Sequence, residues 1–305
     1  MIKTILIYNS GGGVGDSIQL LDLITSLKDK FPQSEFYYLG AHNNHFDGVL
    51  KDYNISINTL DLGLKYFGFR WWHLFFTKKK YYLKNNCKID LIIDLQSKLR
   101  NTLILKRLPY SYFYSSTFNF MFCSTQNTYS KIKNKINTTL ENLGKLINEE
   151  IPFKEYKINF IKKEFFLEAE KILPKKNYVG FSLTQGNVYR RKSWDLNKFI
   201  YVAKEVVKNN DVPVFFIQRD HVEIIKKIKD EVKEAIFPEE MSSLNGPAFV
   251  TALSTRLKQA ITIDNGIMHM IGLAKIPMIV LFGPTNSDKF APNIEDIKIL
   301  DSKKI

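Results

Sequence analysis

Short, almost wholly apolar segments alternate with longer segments of helical periodicity along the chain, and this alternation constrains the fold most strongly. The first apolar segment (3–8) runs into a glycine-rich turn (11–16), and Ile and Leu residues then recur with helical spacing up to Leu27. A strand, a glycine turn and a helix in this order open an α/β unit. Later segments such as 89–95 are nearly all apolar, as parallel strands buried on both faces tend to be. The pattern predicts parallel sheets covered by helices.

The alternation occurs in both halves of the chain, which predicts two domains. A length of 305 residues exceeds what one small core supports and suits two domains of roughly 150 residues each. The pattern loosens between 151 and 177, and a second series of strands and helices begins at Tyr178. We therefore predict an α/β fold with an N-terminal domain over 1–160 and a C-terminal domain over 161–305, both Rossmann-like and facing a central cleft.

Charge and cysteine content restrict the class of protein. The formal net charge of +13 favours an anionic partner such as a nucleotide, a phosphorylated glycolipid, a membrane surface or nucleic acid. Cys87 and Cys123 do not lie in a C-x-x-C pair, so neither a disulfide framework nor a zinc site is expected. No apolar run approaches the roughly 18 residues of a transmembrane helix, and the first segment is too short and strand-like for a signal peptide. A cytoplasmic location is expected.

The glycine-rich turn does not match the common nucleotide-binding motifs. The G-x-G-x-x-G spacing requires glycine where Asp16 or Ile18 stands, and no Gly-Lys-Ser/Thr follows the turn. A nicotinamide-dependent oxidoreductase is therefore disfavoured. Asp16 at the start of the helix has two interpretations, which the local sequence leaves open. It can cap the helix by accepting backbone N–H groups, or it can act as a general base.

Two further groups of residues in the second half suit phosphate oxygens. Arg190, Arg191 and Lys192 lie beside Trp194 on a loop that follows a strand. Such cations can form charge-assisted hydrogen bonds with a diphosphate, or simply form a solvated basic turn. The segment 264–269 passes from a strand directly into a helix, and the amides at such a helix start can bind an anion or be capped in the ordinary way.

In order and spacing, the motifs together resemble glycosyltransferase family 9, the ADP-heptose:lipopolysaccharide heptosyltransferases, which have the two-domain GT-B fold. The matching segments span most of the chain: Gly15-Asp16 with Leu27-Lys28 and Pro32, the strand 90–96 (Asp-Leu-Ile-Ile-Asp-Leu-Gln) with Leu99-Arg100, Lys192-Ser193-Trp194, Asp264 to His269, and Phe282-Gly283-Pro284-Thr285.

The resemblance implies an inverting, metal-independent transfer of a sugar to a glycolipid of the lipopolysaccharide core type, with ADP-heptose as the expected donor. Asp16 would be the general base, and Lys192 with Arg191 would hold the leaving diphosphate. The backbone N–H groups of Asn265, Gly266 and Ile267 would contact the same phosphates. Further donor-side residues are expected at Thr184, Glu223, Asp264 and His269, and acceptor-side residues at Gly13, Lys98 and Arg100.

No cofactor and no metal ion are expected, since no two aspartates form a D-x-D motif and the family transfers sugar without metal. Two alternatives stay open at this point. One is a GT-B glycosyltransferase with another nucleotide-sugar donor, and the other is a catalytically silent protein that binds sugar nucleotides or glycolipids.

An aromatic and basic stretch occupies 65–84, with nine Phe, Trp or Tyr residues, six Lys or Arg residues and no acid. One interpretation is a peripheral element lying on anionic lipid at the cytoplasmic face of the inner membrane. The other is a loop whose aromatic rings pack into the first domain. Stacking on nucleic acid is disfavoured, because no recognisable RNA- or DNA-binding module accompanies the stretch.

Overall fold

The structure, a computed structural model, describes residues 1–9, 13–40, 43–62, 69–76, 88–131, 135–175, 177–184 and 193–304. The chain divides into two compact units: Met1–Lys51 with Ile55–Tyr156, and Asp52–Asn54 with Lys157–Ile305. The short segment Asp52–Asn54 belongs to the second unit, in which the Tyr53 hydroxyl hydrogen-bonds the Thr251 hydroxyl at 2.7 Å. The main division falls after Tyr156, four residues before the predicted boundary.

The first unit contains a parallel sheet of five strands in the described part of the chain, in the order β3-β2-β1-β4-β5. The strands are β1 (Thr4–Asn9), β2 (Glu35–Gly40), β3 (Asn58–Thr59), β4 (Ile89–Asp94) and β5 (Tyr110–Ser115). From β1 the chain continues to β2 and β3 on one side of β1, whereas β4 and β5 lie on its other side. Strands β1 and β4 therefore flank the topological switch point. In open α/β sheets, ligands bind at this point, just outside the carboxyl ends of the strands.

Helices cover this sheet and supply its core. They are α1 (Val14–Ile18), α2 (Leu21–Lys30), α3 (His73–Phe76), α4 (Leu99–Leu105) and α5 (Lys135–Ile147). Strands β1 and β4 are buried on both faces, so that Ile7 and Ile93 have no exposed side-chain surface. One part of the core joins Leu6 of β1, Ile92 of β4 and Leu105 of α4.

The second unit repeats the architecture with a parallel sheet in the order β10-β9-β8-β6-β7. Its strands are β6 (Tyr178–Ser182), β7 (Val212–Phe215), β8 (Leu257–Ile263), β9 (Met278–Phe282) and β10 (Ile297–Asp301). The helices are α6 (Lys163–Ile172), α7 (Leu196–Lys208), α8 (Val222–Glu231), α9 (Pro238–Met241), α10 (Pro247–Ser254), α11 (Gly266–Gly272) and α12 (Ser287–Phe290). Here the switch point lies between β6 and β8.

The amphipathic helices of the second unit bury their apolar faces against this sheet. Phe181 of β6 stacks on Phe215 of β7, with ring centroids 4.9 Å apart, and meets Phe199 of α7 edge to face at 6.5 Å. Offset and edge-to-face aromatic pairs of this kind add to the free energy of burial. The core thus fixes the strands whose carboxyl ends carry the predicted site.

Candidate functional site

Polar side chains of the first unit meet at the carboxyl ends of β1 and β4, on either side of the switch point. Gln96, two residues past β4, donates through Nε2 to Oδ1 of Asn9, the last residue of β1, at 3.3 Å. The side-chain Nδ2 of Asn9 in turn donates to the backbone oxygen of Asp16 at 3.3 Å. This chain of hydrogen bonds fixes the start of α1 relative to the loop that follows β4.

Asp16 occupies the third position of α1 and caps the helix. Its Oδ2 accepts the backbone N–H of the N-cap residue Gly13 at 3.3 Å, and its side chain is half-buried. The capping interpretation of Asp16 is thus present in the structure. It does not conflict with a role as base, since a carboxylate offers about four lone-pair sites on two oxygens.

The two predicted acceptor-side cations also lie past the carboxyl end of β4. Lys98 is exposed and is the N-cap residue of α4, and Arg100 is half-buried in the first turn of that helix. The Arg100 Nε donates to Oδ1 of Asn101 at 3.3 Å. The positive charge of Arg100 also reaches His73, where it contributes to a lowered pKa after the larger effects of burial and Arg70.

Asp94, the last residue of β4, organises this edge and was assigned no role from the sequence. Its fully buried carboxylate accepts hydrogen bonds from the Thr102 hydroxyl at 2.6 Å, the Ser115 hydroxyl at 2.8 Å and the backbone N–H of Gln96 at 3.0 Å. Burial raises the pKa of Asp94, and these hydrogen bonds oppose that shift. An acid that ends an apolar strand is buried and needs such partners, which is the signal that could have identified it.

The switch point of the second unit joins two of the predicted donor motifs. Asn265 is the N-cap residue of α11, where its Oδ1 accepts the Met268 amide at 2.9 Å. Its Nδ2 donates to the Ser182 hydroxyl at 2.6 Å and to the Thr184 backbone oxygen at 2.9 Å. One side chain therefore links the end of β6 to the helix that follows β8.

A second link joins Asp264 to the motif after β9. The Thr285 hydroxyl donates to Oδ2 of Asp264, which is only 4 % exposed, and the Asp264 amide donates to the Leu281 oxygen at 3.2 Å. His269 lies buried within α11. The structure thus brings six of the predicted donor-side residues to the carboxyl ends of β6 and β8: Thr184, Asp264, Asn265, Gly266, Ile267 and His269.

The remaining donor-side predictions are placed less centrally or fall outside the description. Glu223 is exposed in the first turn of α8, past the carboxyl end of β7. Arg191 and Lys192 lie outside the described residues, as does Arg190. The described end of their motif is anchored, since the Trp194 ring packs edge to face on Phe199 at 5.0 Å.

Glu239 is a further acid on this side that the sequence did not single out. Arg219, which follows β7, donates from its guanidinium group to the backbone oxygens of Glu239 and Ser242. Burial raises the pKa of the Glu239 carboxyl, while the charge of Arg219 opposes the shift. The two hydrogen bonds of Arg219 hold α9 beside the end of β7.

The described part of the aromatic and basic stretch contains both buried and exposed rings. Phe69 is buried and stacks on Tyr8, with ring centroids 5.1 Å apart and an interplanar angle of 11°. In contrast, Trp71, Trp72 and Phe75 are 52 %, 49 % and 79 % exposed. The remaining parts of this stretch, 65–68 and 77–84, lie outside the described residues.

Within the described ranges, no three His, Cys, Asp or Glu residues are grouped so that they could hold a metal ion. Among the helices that the structure describes, none has both the length and the apolar character needed to cross a membrane.

Two Rossmann-like units, each with polar groups gathered at its switch point, define an α/β protein of the GT-B type. The sequence profile of glycosyltransferase family 9 (heptosyltransferase) matches residues 82–304. The chain belongs to this family and is a glycosyltransferase. A search among curated proteins found no match.

Solved structures of the family share this fold. A glycosyltransferase family 9 protein from Veillonella parvula is 17% identical, with a TM-score of 0.68, covering 99% of this chain and 86% of its own. The E. coli heptosyltransferase WaaC with ADP-2-deoxy-2-fluoro heptose is 15% identical, with a TM-score of 0.67 over 97% and 92%. E. coli ADP-heptose lps heptosyltransferase II is 14% identical, with a TM-score of 0.62 over 97% and 90%. The predicted fold class is confirmed.

Proposed function

We propose that this glycosyltransferase moves a sugar, with inversion, from a nucleoside diphosphate donor to an anionic glycolipid of the lipopolysaccharide core type, and that the sugar is heptose carried on ADP. The observation that carries the proposal is the hydrogen-bonded joint at Asn265. This hydrogen bond joins Asn265 to Thr184, 81 residues earlier in the chain, at the switch point of one sheet, and both belong to motifs predicted to bind the donor.

The donor half of the proposal rests on the charge that develops on the leaving diphosphate. Arg191 and Lys192 would supply cations, and the amides of Asn265, Gly266 and Ile267 would supply fixed dipoles. The Asn265 cap takes up the next amide, that of Met268. Groups that meet the developing charge stabilise the transition state more than the ground state and so increase the rate.

The acceptor half assigns the proton transfer to Asp16. Its carboxylate would accept the proton of the acceptor hydroxyl while the hydroxyl oxygen forms a bond to the anomeric carbon. The bond from that carbon to the diphosphate breaks, and the nucleoside diphosphate leaves with the electron pair. A single displacement of this kind inverts the anomeric configuration. Lys98 and Arg100, at the same sheet edge as Gly13, would attract the anionic acceptor.

The choice of ADP and of heptose is supported by relatives of the same fold. WaaC has been solved with ADP and with ADP-2-deoxy-2-fluoro heptose. Neither the proposed mechanism nor the donor requires a metal ion or another cofactor.

The glycolipid acceptor suggests a place of action at the cytoplasmic face of the inner membrane. The exposed rings of Trp71, Trp72 and Phe75 within 65–84 support a peripheral contact there.

A thermal-shift panel of ADP, UDP, GDP, CMP and NAD, without added metal, tests the donor. A ligand that binds only the folded state raises its apparent stability. Selective stabilisation by ADP is expected, and selective stabilisation by UDP or GDP would overturn the choice of nucleotide. NMR of the product made from ADP-heptose then tests the mechanism, because retained anomeric configuration or absence of turnover would contradict inverting transfer.

A further inference from the structure

An unusual turn follows β5 at the edge of the first sheet. Phe118, Asn119 and Phe120 have φ angles of 47°, 53° and 66° in succession. Residues other than glycine adopt this left-handed region rarely and usually singly, so three in a row are costly. Such a conformation persists only when the surrounding structure determines it.

The turn separates its apolar side chains into two sets. Phe120 is buried, with its ring 6.0 Å from Tyr114 and 5.1 Å from Tyr129. Phe118 and Met121 are instead 60 % and 65 % exposed. We define Phe118 and Met121 as the outer pair of the turn.

Contacts with α4 and with Lys106, the C-cap residue of that helix, hold the turn at both of its ends. The Thr117 and Thr102 hydroxyls hydrogen-bond at 2.7 Å, next to the buried Asp94 carboxylate. At the other end, Lys106 donates to the backbone oxygen of Phe122 at 3.1 Å. The outer pair is therefore presented by an anchored element.

The exposed rings of 71–75 are attached to the same helix. Helix α3 packs against α4, and the charge of Arg100 on α4 reaches His73 on α3. Phe69 stacks on Tyr8 near the carboxyl end of β1, and the turn follows the carboxyl end of β5. Both groups of exposed apolar side chains therefore lie toward the carboxyl edge of the first sheet.

The charge of these elements is of one sign. The segments 69–76, 98–107 and 116–123 contain five cations and no acid: Arg70, Lys98, Arg100, Lys106 and Arg107. Exposed aromatic and aliphatic side chains bordered by cations suit the interface of a bilayer with anionic headgroups. Acidic side chains would oppose this contact.

We propose that the outer pair, Phe118 and Met121, forms a second lipid-contact element that acts together with Trp71, Trp72 and Phe75 on an anionic bilayer. Helix α4 contacts both elements, and it carries Arg100, with Lys98 and Lys106 as its two cap residues. This inference rests on the proposed action on a membrane glycolipid, and it extends the contact beyond 65–84 to a segment 34 residues further along the chain.

Flotation of the full chain with vesicles of phosphatidylglycerol and phosphatidylethanolamine tests the proposal. Phe118→Ser with Met121→Ser is expected to lower the bound fraction several-fold. The matched control is Leu167→Ser with Tyr201→Ser, which removes two apolar side chains of the second unit that are 68 % and 65 % exposed. This control is expected to float like the wild type.

Unchanged flotation of the turn variant would overturn the proposal, as would equal binding of the wild type to vesicles of phosphatidylcholine alone. If the double variant fails to fold, as judged by circular dichroism, Met121→Ser alone serves as the test, because it leaves the three left-handed residues intact. Sugar transfer by the wild type to a deacylated, water-soluble acceptor is measured separately. Its absence would count against the proposed function without altering the flotation result.

Discussion

Asn265 donates through Nδ2 to the backbone oxygen of Thr184 at 2.9 Å while its Oδ1 accepts the amide of Met268, also at 2.9 Å. The same side chain therefore caps α11 and positions the loop after β6. These two tasks use different atoms of one amide, so substitutions can separate them.

Asn265→Asp is expected to keep the cap and lose the link to Thr184. A carboxylate oxygen still accepts the Met268 amide, but it cannot donate to the Thr184 oxygen, and its charge opposes a phosphate. We expect a loss of about 1–2 kcal/mol in the free energy of unfolding and a drop of about tenfold or more in ADP affinity, which corresponds to about 1.4 kcal/mol. Urea denaturation and titration calorimetry measure the two quantities.

Asn265→Ala provides the comparison, because it removes the cap as well and should cost about 1 kcal/mol more in stability. Wild-type affinity for ADP in Asn265→Asp would show that the link to Thr184 does not shape the donor site.

Asp16→Asn separates capping from proton transfer. An amide oxygen can still accept the Gly13 N–H, so the free energy of unfolding should change by no more than about 0.5 kcal/mol. The amide cannot take up the acceptor proton, and the rate of transfer should fall by about 10²- to 10⁴-fold. Initial rates with saturating donor and acceptor give the measurement.

Asp22→Asn is the matched control for Asp16. The Asp22 carboxylate accepts the Tyr156 amide at 2.8 Å, so the substitution makes the same chemical change at a structural acid and should leave the rate within about twofold of the wild type. Equal rates for Asp16→Asn and Asp22→Asn would exclude Asp16 as the base.

The sequence predicted the central strands well and the edges poorly. Strands β1, β4 and β6 are buried on both faces and appear as apolar runs. Strand β5 (Tyr110–Ser115) is half-exposed over its first three residues and rich in Tyr and Ser, so its pattern does not mark it as a strand. The apolar run 214–217 predicts a strand that begins just after Pro213. Instead, Pro213 lies within β7, where an edge position tolerates a residue without an N–H group.

Helix ends were also less predictable than helix cores. The alternating apolar and basic residues of 130–148 are typical of one long amphipathic helix, but the observed helix begins at Lys135. In the preceding segment 128–131, the Ser130 amide donates to Asn142 Oδ1 at 2.8 Å. The residue pattern of 248–257 also predicts a helix, but α10 ends at Ser254, because Leu257 already pairs with β6. Both differences arise from tertiary contacts that periodicity does not encode.

The motifs predict candidate site residues but not the hydrogen bonds between them. The Asn265 link to Thr184 and the Thr285 link to Asp264 join segments 81 and 21 residues apart. These pairs depend on the strand order β9-β8-β6, which brings chain segments together that the sequence keeps apart. The same holds for Gln96 and Asn9 across the switch point of the first sheet.

Lys192→Ala tests the phosphate assignment directly. A charge-assisted hydrogen bond contributes about 1.5–3 kcal/mol, so ADP affinity should fall by roughly ten- to a hundredfold. Adenosine has no phosphate, and its affinity should be unchanged. Titration calorimetry with both ligands gives the comparison.

Lys171→Ala is the control for the loss of one lysine. Lys171 lies on α6 in an exposed ion pair with Glu168 at 3.5 Å, and its removal should leave the affinity for both ligands unchanged. Equal ADP affinity in Lys192→Ala and the wild type would remove this lysine from the diphosphate site.

His73 predicts a loss of stability below neutral pH. Its Nδ1 accepts the Arg70 backbone N–H at 3.0 Å, an arrangement that requires the neutral ring. Burial first, and then the charges of Arg70 and Arg100, lower the pKa of His73 below the ordinary value of 6.5. Above that value the ring is neutral in both the folded and the unfolded chain, so it adds no dependence on pH. As pH falls below 6.5, the unfolded chain binds a proton more readily, and the free energy of unfolding falls by about 1.4 kcal/mol for each unit of pKa difference.

His73→Gln removes this dependence on pH, because the glutamine side chain does not titrate. Urea denaturation between about pH 7.5 and 5 should therefore give a smaller loss of unfolding free energy for the variant than for the wild type. Arg100→Gln should have an intermediate effect, because removing one of the two charges raises the pKa of His73 toward its ordinary value. The His73 ring signal followed by NMR reports that pKa directly in the folded protein. Parallel stability curves for the wild type and His73→Gln, or a ring that titrates at its ordinary value, would contradict the prediction.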